Sequence, residues 1–352
     1  MNYEDAMKNC IFRFCSGSRA YGLNDETSDF DYRGVFIAPL KHAFDVFHTS
    51  FVGDGTINDH LKAVAKAIEE RNWHVANERI RLAMVTDHAD LNLSVGTVKK
   101  TNDDEELQEL RKFFKLASEC NPNLIEFLYS DRLITHETDV WKKIKKHRDL
   151  FLSKRARYTF SGYGFAQLRK IKSHRKYLLN PPKHQPTRSE FGLPENTTIS
   201  KDCYNAILTI PSELLQNSIK EIVINEKKYR DAMIDWNAYK RWEKERNPKR
   251  KEMESKFHFD LKHATHLIRL CKMSKEILQD KTVYVFRPDR EELLEIKNGK
   301  WSFEQVIEYA ENIESELDEI YQQSDLRSKP DLKGIAKLYK EICEEYYNIK
   351  ID

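Results

Sequence analysis

Cysteine is the first scarcity. Six thiols, Cys10, Cys15, Cys120, Cys203, Cys271 and Cys343, are scattered over 352 residues with no CxxC pair. That spacing argues against a disulfide framework or a clustered-cysteine zinc site, and we expect reduced thiols, mostly in the core. Long apolar runs are also missing: none approaches the roughly 20 residues needed to span a bilayer. Met1 to Ala6 contain neither a basic nor an apolar leader segment, so a cytoplasmic protein with no membrane partner is expected. Net charge is nearly absent, at +2, but it is unevenly spread. Between Lys154 and Arg188 there are ten Lys and Arg and no Asp or Glu. Positive charge without acids beside it in sequence points to an external anionic partner.

What is present fits a soluble globular chain, 40% hydrophobic and 33% charged, long enough for two domains. Ile11-Phe12-Arg13-Phe14 has strand character, and Ser16-Gly17-Ser18 breaks it with residues that tolerate close backbone approach and can turn N–H groups toward an anion. Asp29 to Ile37 reads as a second strand, ending in the β-branched and aromatic run Val35-Phe36-Ile37. Its period of two puts Asp29 and Asp31 on one face. An Asp-x-Asp pair alone usually marks a solvated strand edge. Preceded by a Gly-Ser turn, it becomes a candidate site for metal-dependent chemistry on a nucleoside triphosphate.

Downstream, His60 to Arg81 reads as an amphipathic helix with Leu61, Val64, Ala65 and Ile68 on its stripe. From Thr101 an acidic cluster leads into a helix carrying Leu110, Phe113, Phe114 and Ala117. The cluster suits a helix start through the macrodipole; alternatively, Asp104 or Glu106 sits on a strand feeding the helix and supplies a third carboxylate. Leu124 to Leu133 begins a second helical segment, helical patterns dominate from there on, and a domain boundary is placed at 130/131.

Tyr158 to Gly164 precedes a helix whose core stripe is Phe165, Leu168, Ile171 and Leu178 and whose other face carries Arg169, Lys172 and Lys176. A proline-punctuated loop follows at Asn180 to Arg188. Tyr239 to Lys256 mixes both signs densely and reads as a solvated, mobile helix or linker. In the next helix Phe257, Leu261, Ala264, Ile268 and Cys271 make an apolar stripe and leave Lys262, His266 and Arg269 on another face. His263 and His266 find no acid or thiol at ligand spacing, so phosphate contacts are expected there rather than a metal. Ser302 to Gln305 opens like a capping box into a structural helix through Tyr321.

Gly17-Ser18, Asp29-x-Asp31 and a carboxylate on a later strand resemble the DNA polymerase β-like nucleotidyltransferase superfamily. More narrowly, the chain resembles its RNA-ligase-associated predicted nucleotidyltransferase family. Further blocks carry the likeness: Leu110 to Phe113, Asn121 to Asn123, Phe160 to Tyr163, His174 to Lys176, Lys262 to Ala264 and Arg287-Pro288. The resemblance implies an α+β fold, with a small mixed-sheet palm at 1–130 followed by a mainly helical substrate- and nucleotide-binding domain at 131–352. Strands early and helices late agree with this independently. Residues 51–100 are longer than the family pattern expects, which leaves Asp103, Asp104 and Glu106 as alternatives for the third carboxylate, Asp104 preferred.

The resemblance also implies two Mg²⁺ ions, or Mn²⁺, about 3.5–4 Å apart, held by Asp29, Asp31 and Asp104. Gly17, Ser18 and Arg19 would cradle the phosphates of a triphosphate such as ATP, with Lys172, Lys176, Lys262, His266 and Arg269 adding charge. Arg169, His174 and Arg175 are the candidate acceptor contacts. The favoured reading is transfer of a nucleotide to an RNA end, in RNA repair or tRNA processing, with pyrophosphate release. The alternatives are transfer to a protein or small-molecule hydroxyl, as in AMPylation, and a catalytically silent RNA-binding module. Base preference and oligomeric state are not encoded in any motif.

Overall fold

The computed structural model describes residues 2–39, 97–100, 104–195, 199–210, 217–246 and 248–349; Asp103 and the helix expected at His60 to Arg81 lie outside them. The first elements in chain order are α1 (Tyr3–Lys8), β1 (Cys10–Ser16), α2 (Gly17–Tyr21), β2 (Asp31–Phe36), β3 (Thr97–Lys99), β4 (Glu105–Glu109), α3 (Leu110–Ser118), α4 (Pro122–Tyr129), β5 (Ile134–Glu137) and α5 (Asp139–Lys146). Then come α6 (Ala156–Leu179), α7 (Lys201–Leu208), α8 (Asn217–Glu245), α9 (Pro248–Phe257), α10 (Leu261–Asp280), α11 (Arg290–Lys297), α12 (Phe303–Gln323) and α13 (Leu332–Tyr347). This is the expected α+β arrangement, a mixed sheet with helices followed by a mainly helical region.

The strands form one sheet in the order β3-β4-β2-β1-β5. β1 is antiparallel to β2 and β5, β3 is antiparallel to β4, and β2 runs parallel to β4. β1 is apolar on both faces because both are covered: Ile11, Phe12, Phe14 and Cys15 are all buried. Phe12 stacks on Trp141 of α5 at 4.3 Å between ring centres, an offset aromatic contact of the kind that adds to simple area burial. The one charge within β1, Arg13, is paired with Glu105 of β4 at 2.5 Å and lies over the Tyr32 ring.

Several elements differ from the sequence expectations. Asp29 lies in the connection before β2, not within it, since β2 starts at Asp31. The acidic segment before α3 follows the strand alternative rather than the helix start: it is β4, with Glu105 and Leu107 buried. The helical segment expected through Leu133 stops at Tyr129, and β5 then joins the sheet beside β1. The 130/131 position therefore falls between α4 and β5, and a single apolar cluster takes Phe12 and Phe113 from one side of it and Trp141, Phe151 and Ile342 from the other. Tyr158 to Gly164 is already inside α6. Gly164 lets α6 and α10 pack closely: a Cβ would make tight contacts with Cys271 Sγ and Leu267 O of α10, both at 3.3 Å. The mixed-charge stretch Tyr239 to Lys256 supplies the end of α8 and most of α9, with Arg246 ion-paired to buried Glu254 at 2.5 Å.

α10 is the spine of the molecule. Leu270, Met273 and Ile277 pack into the sheet-side cluster, while Leu261, Ala264, Leu267, Ile268 and Cys271 pack into a second cluster with α6, α11 and α12. A helix apolar over so much of its circumference is buried on nearly every side. It runs antiparallel to α6, with Ser274 donating to Ala156 O at 3.1 Å near one end and the His174 and His263 rings 5.9 Å apart near the other. α12 opens with the expected capping box, Ser302 and Gln305 bonding reciprocally.

Candidate active site

α2 follows β1 directly and places Gly17 and Ser18 at the C-terminal end of that interior strand. Gly17 has φ +69° and would, with a Cβ, bring that atom to 2.6 Å from Asp31 Oδ2. Only glycine combines that backbone with that contact. The Asp31 carboxylate thus rests on the Gly-Ser turn, and Ser16 reinforces the junction by donating its hydroxyl to Asp31 O at 2.9 Å. Gly17→Ala is accordingly expected to cost about 1–3 kcal/mol of stability through backbone strain and to displace Asp31. Thermal melting together with activity checks this: a stable, fully active variant would contradict it.

Asp104 stands beside Asp31 through strand register. Tyr32 pairs with Glu105 and Arg33 with Glu106 in the parallel β2/β4 ladder, so one step back brings Asp31 opposite Asp104. Tyr32 N–H donates to Asp104 O at 3.1 Å and Arg33 to the same oxygen at 2.8 Å. Of the alternatives, Glu106 is bridged to Lys99 at 3.2 Å, and Asp103 lies outside the described residues. Burial pushes the Asp31 carboxyl above its ordinary value; Arg33 and Lys262 oppose this, and the negative charges of Asp104 and Asp29 add to it. The three carboxylates therefore feel one another. Their oxygens are not gathered to within 4.8 Å, and among the described residues only His174, Asp260 and His263 meet that spacing.

Asp29 is held by its loop. Asp25 organises that loop by accepting from Thr27 N at 3.0 Å and from the Thr27 and Ser28 hydroxyls, and Lys297 reaches its carboxylate at 2.7 Å. These contacts, that of Lys297 foremost, hold the Asp25 carboxyl well below the usual range. Arg19 donates to Ser28 O at 2.7 Å and Asp29 O at 3.2 Å and stacks over Phe30. Arg19, expected at the phosphates, is thus engaged in fixing the segment that carries Asp29.

Below the Gly-Ser turn lies a buried polar network with no sequence signal of its own. Tyr21 donates to Glu126 of α4 at 2.7 Å, and Arg269 of α10, 2% exposed, donates to the same carboxylate at 2.5 Å while lying over the Tyr21 ring. Arg287 grips Glu276 with two nitrogens, at 2.6 and 2.8 Å, and its backbone N–H donates to Tyr21 O at 3.1 Å. The network anchors α2 to α4 and α10, so Arg269 serves the interior and not the face expected of it. Glu126 and Arg287 were not foreseen as positioning residues; only the Arg287-Pro288 motif block could have drawn attention to the second.

The remaining expected contacts divide. Lys262 is exposed and acts on Asp31. His266 is half-buried and accepts from Arg269 at 3.3 Å; burial, aided by Arg269, pushes its pKa down to about 3, so the ring is neutral. Lys176 is bound to Asp235 of α8 at 2.6 Å, and Arg175 to Glu304 of α12 at 3.3 Å. Arg157 and Arg188 are paired with Asp318 and Glu226 as well. The acids missing from 154–188 in sequence are therefore supplied in space, and the basic sector is narrower than expected. Arg169, Lys170 and Lys172 remain exposed on α6. Lys170, which the helical-face reading omitted, acts with Lys262 on His266, linking the α6 cations to the carboxylates.

A family model, the RNA repair pathway DNA polymerase beta family (RlaP), matches residues 3–69 and 95–181, spanning the turn, the carboxylates and all of α6. The chain belongs to this family. Its membership points to a nucleotidyltransferase in RNA repair, a class whose members generally use divalent metals. The match leaves out residues 70–94, inside the stretch expected to be long. Searches of curated proteins and of solved structures return no match. No helix among the described residues is long and apolar enough to cross a membrane.

Proposed function

We propose that the protein transfers a nucleoside monophosphate from a triphosphate to the hydroxyl of an RNA end, releasing pyrophosphate. The observation that carries this reading is the convergence of Gly17, Asp31 and Asp104 at one end of the strands β1, β2 and β4, with Asp29 on the loop beside them. Three hard oxygen donors, one seated where a Cβ would otherwise sit, suit Mg²⁺. When bound by Asp29, Asp31 and Asp104, the metal would supply charge stabilisation and a more nucleophilic acceptor hydroxyl.

The chain's own residues do the rest by positioning. Backbone N–H groups of the Gly17-Ser18 turn and the Ser18 hydroxyl would bind the β- and γ-phosphates, and Lys262 would neutralise charge beside Asp31. Arg169, Lys170 and Lys172 would hold the acceptor backbone. The sheet end is thus catalytic, and the helical part supplies substrate contacts.

RNA as acceptor is favoured by the family and by the cations running from Lys262 to α6. The test supplies each of the four α-labelled triphosphates with Mg²⁺, once with RNA and once with cell lysate. Label on RNA supports the proposal; label on protein or small molecules, with RNA unlabelled, overturns the acceptor. The double variant Arg169→Ala/Lys170→Ala is expected to weaken RNA binding uniformly across sequences. It should also reduce the slope of log affinity against log salt by about 1.4, two single-strand phosphate contacts. Binding measured across a salt series checks this, and an unchanged slope would remove these residues from the acceptor surface.

A further inference from the structure

A second constellation lies where the end of α6 meets the start of α10, and it is built from residue types different from those of the carboxylate site. His174, Asp260 and His263 each offer one ligand atom, and these atoms all lie within 4.8 Å of one another. Asp260 is buried, 3% exposed, and its Oδ1 already caps α10 by accepting from His263 N–H at 2.9 Å. Its Oδ2 lies 2.8 Å from His263 Nδ1, yet that nitrogen has no hydrogen-bond partner: the two atoms approach without the alignment of a hydrogen bond. His174 Nδ1 is buried and equally unpartnered. Two buried imidazole nitrogens without hydrogen-bond partners thus lie beside a buried carboxylate, with one ligand atom from each of the three residues close to a common point.

We propose that His174, Asp260 and His263 form a site for a divalent transition-metal ion, Zn²⁺ by its donor set, that clasps α6 to α10. Imidazole nitrogen with one carboxylate oxygen selects Zn²⁺-like ions over Mg²⁺ and Ca²⁺, which take oxygen sets. Bonds of about 2.0–2.2 Å in a tetrahedron place ligand atoms about 3.3 Å apart, so rotamer adjustment within the observed cluster suffices. Metal binding needs neutral rings, and burial first, then the neighbouring His263 charge, pushes His174 down to about 4. Three protein ligands leave a fourth position open. Lys170 and Arg246 act electrostatically on His174, so that position favours an anionic oxygen, hydroxide or phosphate. The sequence reading that gave His263 no acid at ligand spacing overlooked Asp260, three residues before it at the cap of α10, while His174 comes from α6, which spacing within one helix does not register.

The site stands independently of nucleotidyl transfer. The experiment titrates metal-stripped full-length protein with Co²⁺, whose d–d bands report nitrogen ligation and tetrahedral geometry, followed by displacement with Zn²⁺. One Co²⁺ per chain with tetrahedral bands is expected. Affinity should fall at least about 100-fold in His174→Gln and in His263→Asn, each checked for folding by circular dichroism, and should be unchanged in Asp29→Asn/Asp31→Asn. Should one histidine variant not fold, the other carries the test. Absence of tetrahedral bands in the unsubstituted protein, or their persistence in either folded histidine variant, overturns the proposal. Bands lost only with Asp29 and Asp31 overturn it too.

Discussion

Asp31→Asn is expected to lower nucleotidyl transfer by at least about 10³-fold while leaving the melting temperature unchanged or raised. The carboxylate is seated against Gly17 and shares its surroundings with Asp104 and Asp29, and its negative charge is what the proposed chemistry would use. Asparagine keeps the shape that fits beside Gly17. The stability half follows from the pKa direction. A carboxyl raised in the folded state binds its proton more tightly there than in the unfolded chain, so ionised Asp31 destabilises the fold increasingly as pH rises past its unfolded value. Removing the charge removes that cost. Asp104→Asn should lower transfer in the same way, because the β2/β4 register puts it on the same side. Kinetics and melting on the two purified variants test this. Loss of activity accompanied by loss of fold would place these residues in the scaffold.

Glu126→Gln is expected to destabilise the protein by about 3–5 kcal/mol, the range for breaking one side of a buried ion pair. Glutamine retains the length of the side chain and can still accept from Tyr21, but it leaves the Arg269 guanidinium, 2% exposed, without a compensating charge. The double variant Glu126→Gln/Arg269→Met should recover much of the loss, since it removes the stranded charge as well as its partner. Denaturant unfolding of the two singles and the double gives the coupling directly. Because Tyr21 ends the helix that carries Gly17 and Ser18, the single variant should also lose activity beyond its loss of folded protein. A Glu126→Gln variant within about 0.5 kcal/mol of the unsubstituted chain, the range of ordinary surface changes, would show that this network does not hold the turn.

The candidate site was legible because its signals are local. A strand, a Gly-Ser turn and Asp-x-Asp occupy Ile11 to Ile37, and each relies on short-range backbone chemistry that composition and spacing report. Asp104 could be preferred but not chosen from sequence, because the choice rests on a parallel register set across the 37–104 connection. The placement of Asp29 in a loop instead of a strand depends on Arg19, whose bonds to Ser28 O and Asp29 O compete with the ladder. Farther along, sequence separation defeats the reading. Arg269 and Lys262 sit seven residues apart on one predicted face, yet the first is swallowed by Glu126, 143 positions away, and the second stays in solvent near Asp31. Asp235 and Glu304 neutralise Lys176 and Arg175 in the same way, through packing of α8 and α12 on α6 that no periodicity encodes. The capping box at Ser302 needs no such packing, and it was readable to the residue.

The most direct test of the account is a paired-label reaction with purified protein, Mg²⁺ and RNA, run in parallel with α-labelled and γ-labelled triphosphate. The account predicts that the α label becomes attached to RNA while the γ label leaves as pyrophosphate, and that both events disappear in Asp31→Asn. Transfer of the γ label, or α-label incorporation that survives Asp31→Asn, would contradict it.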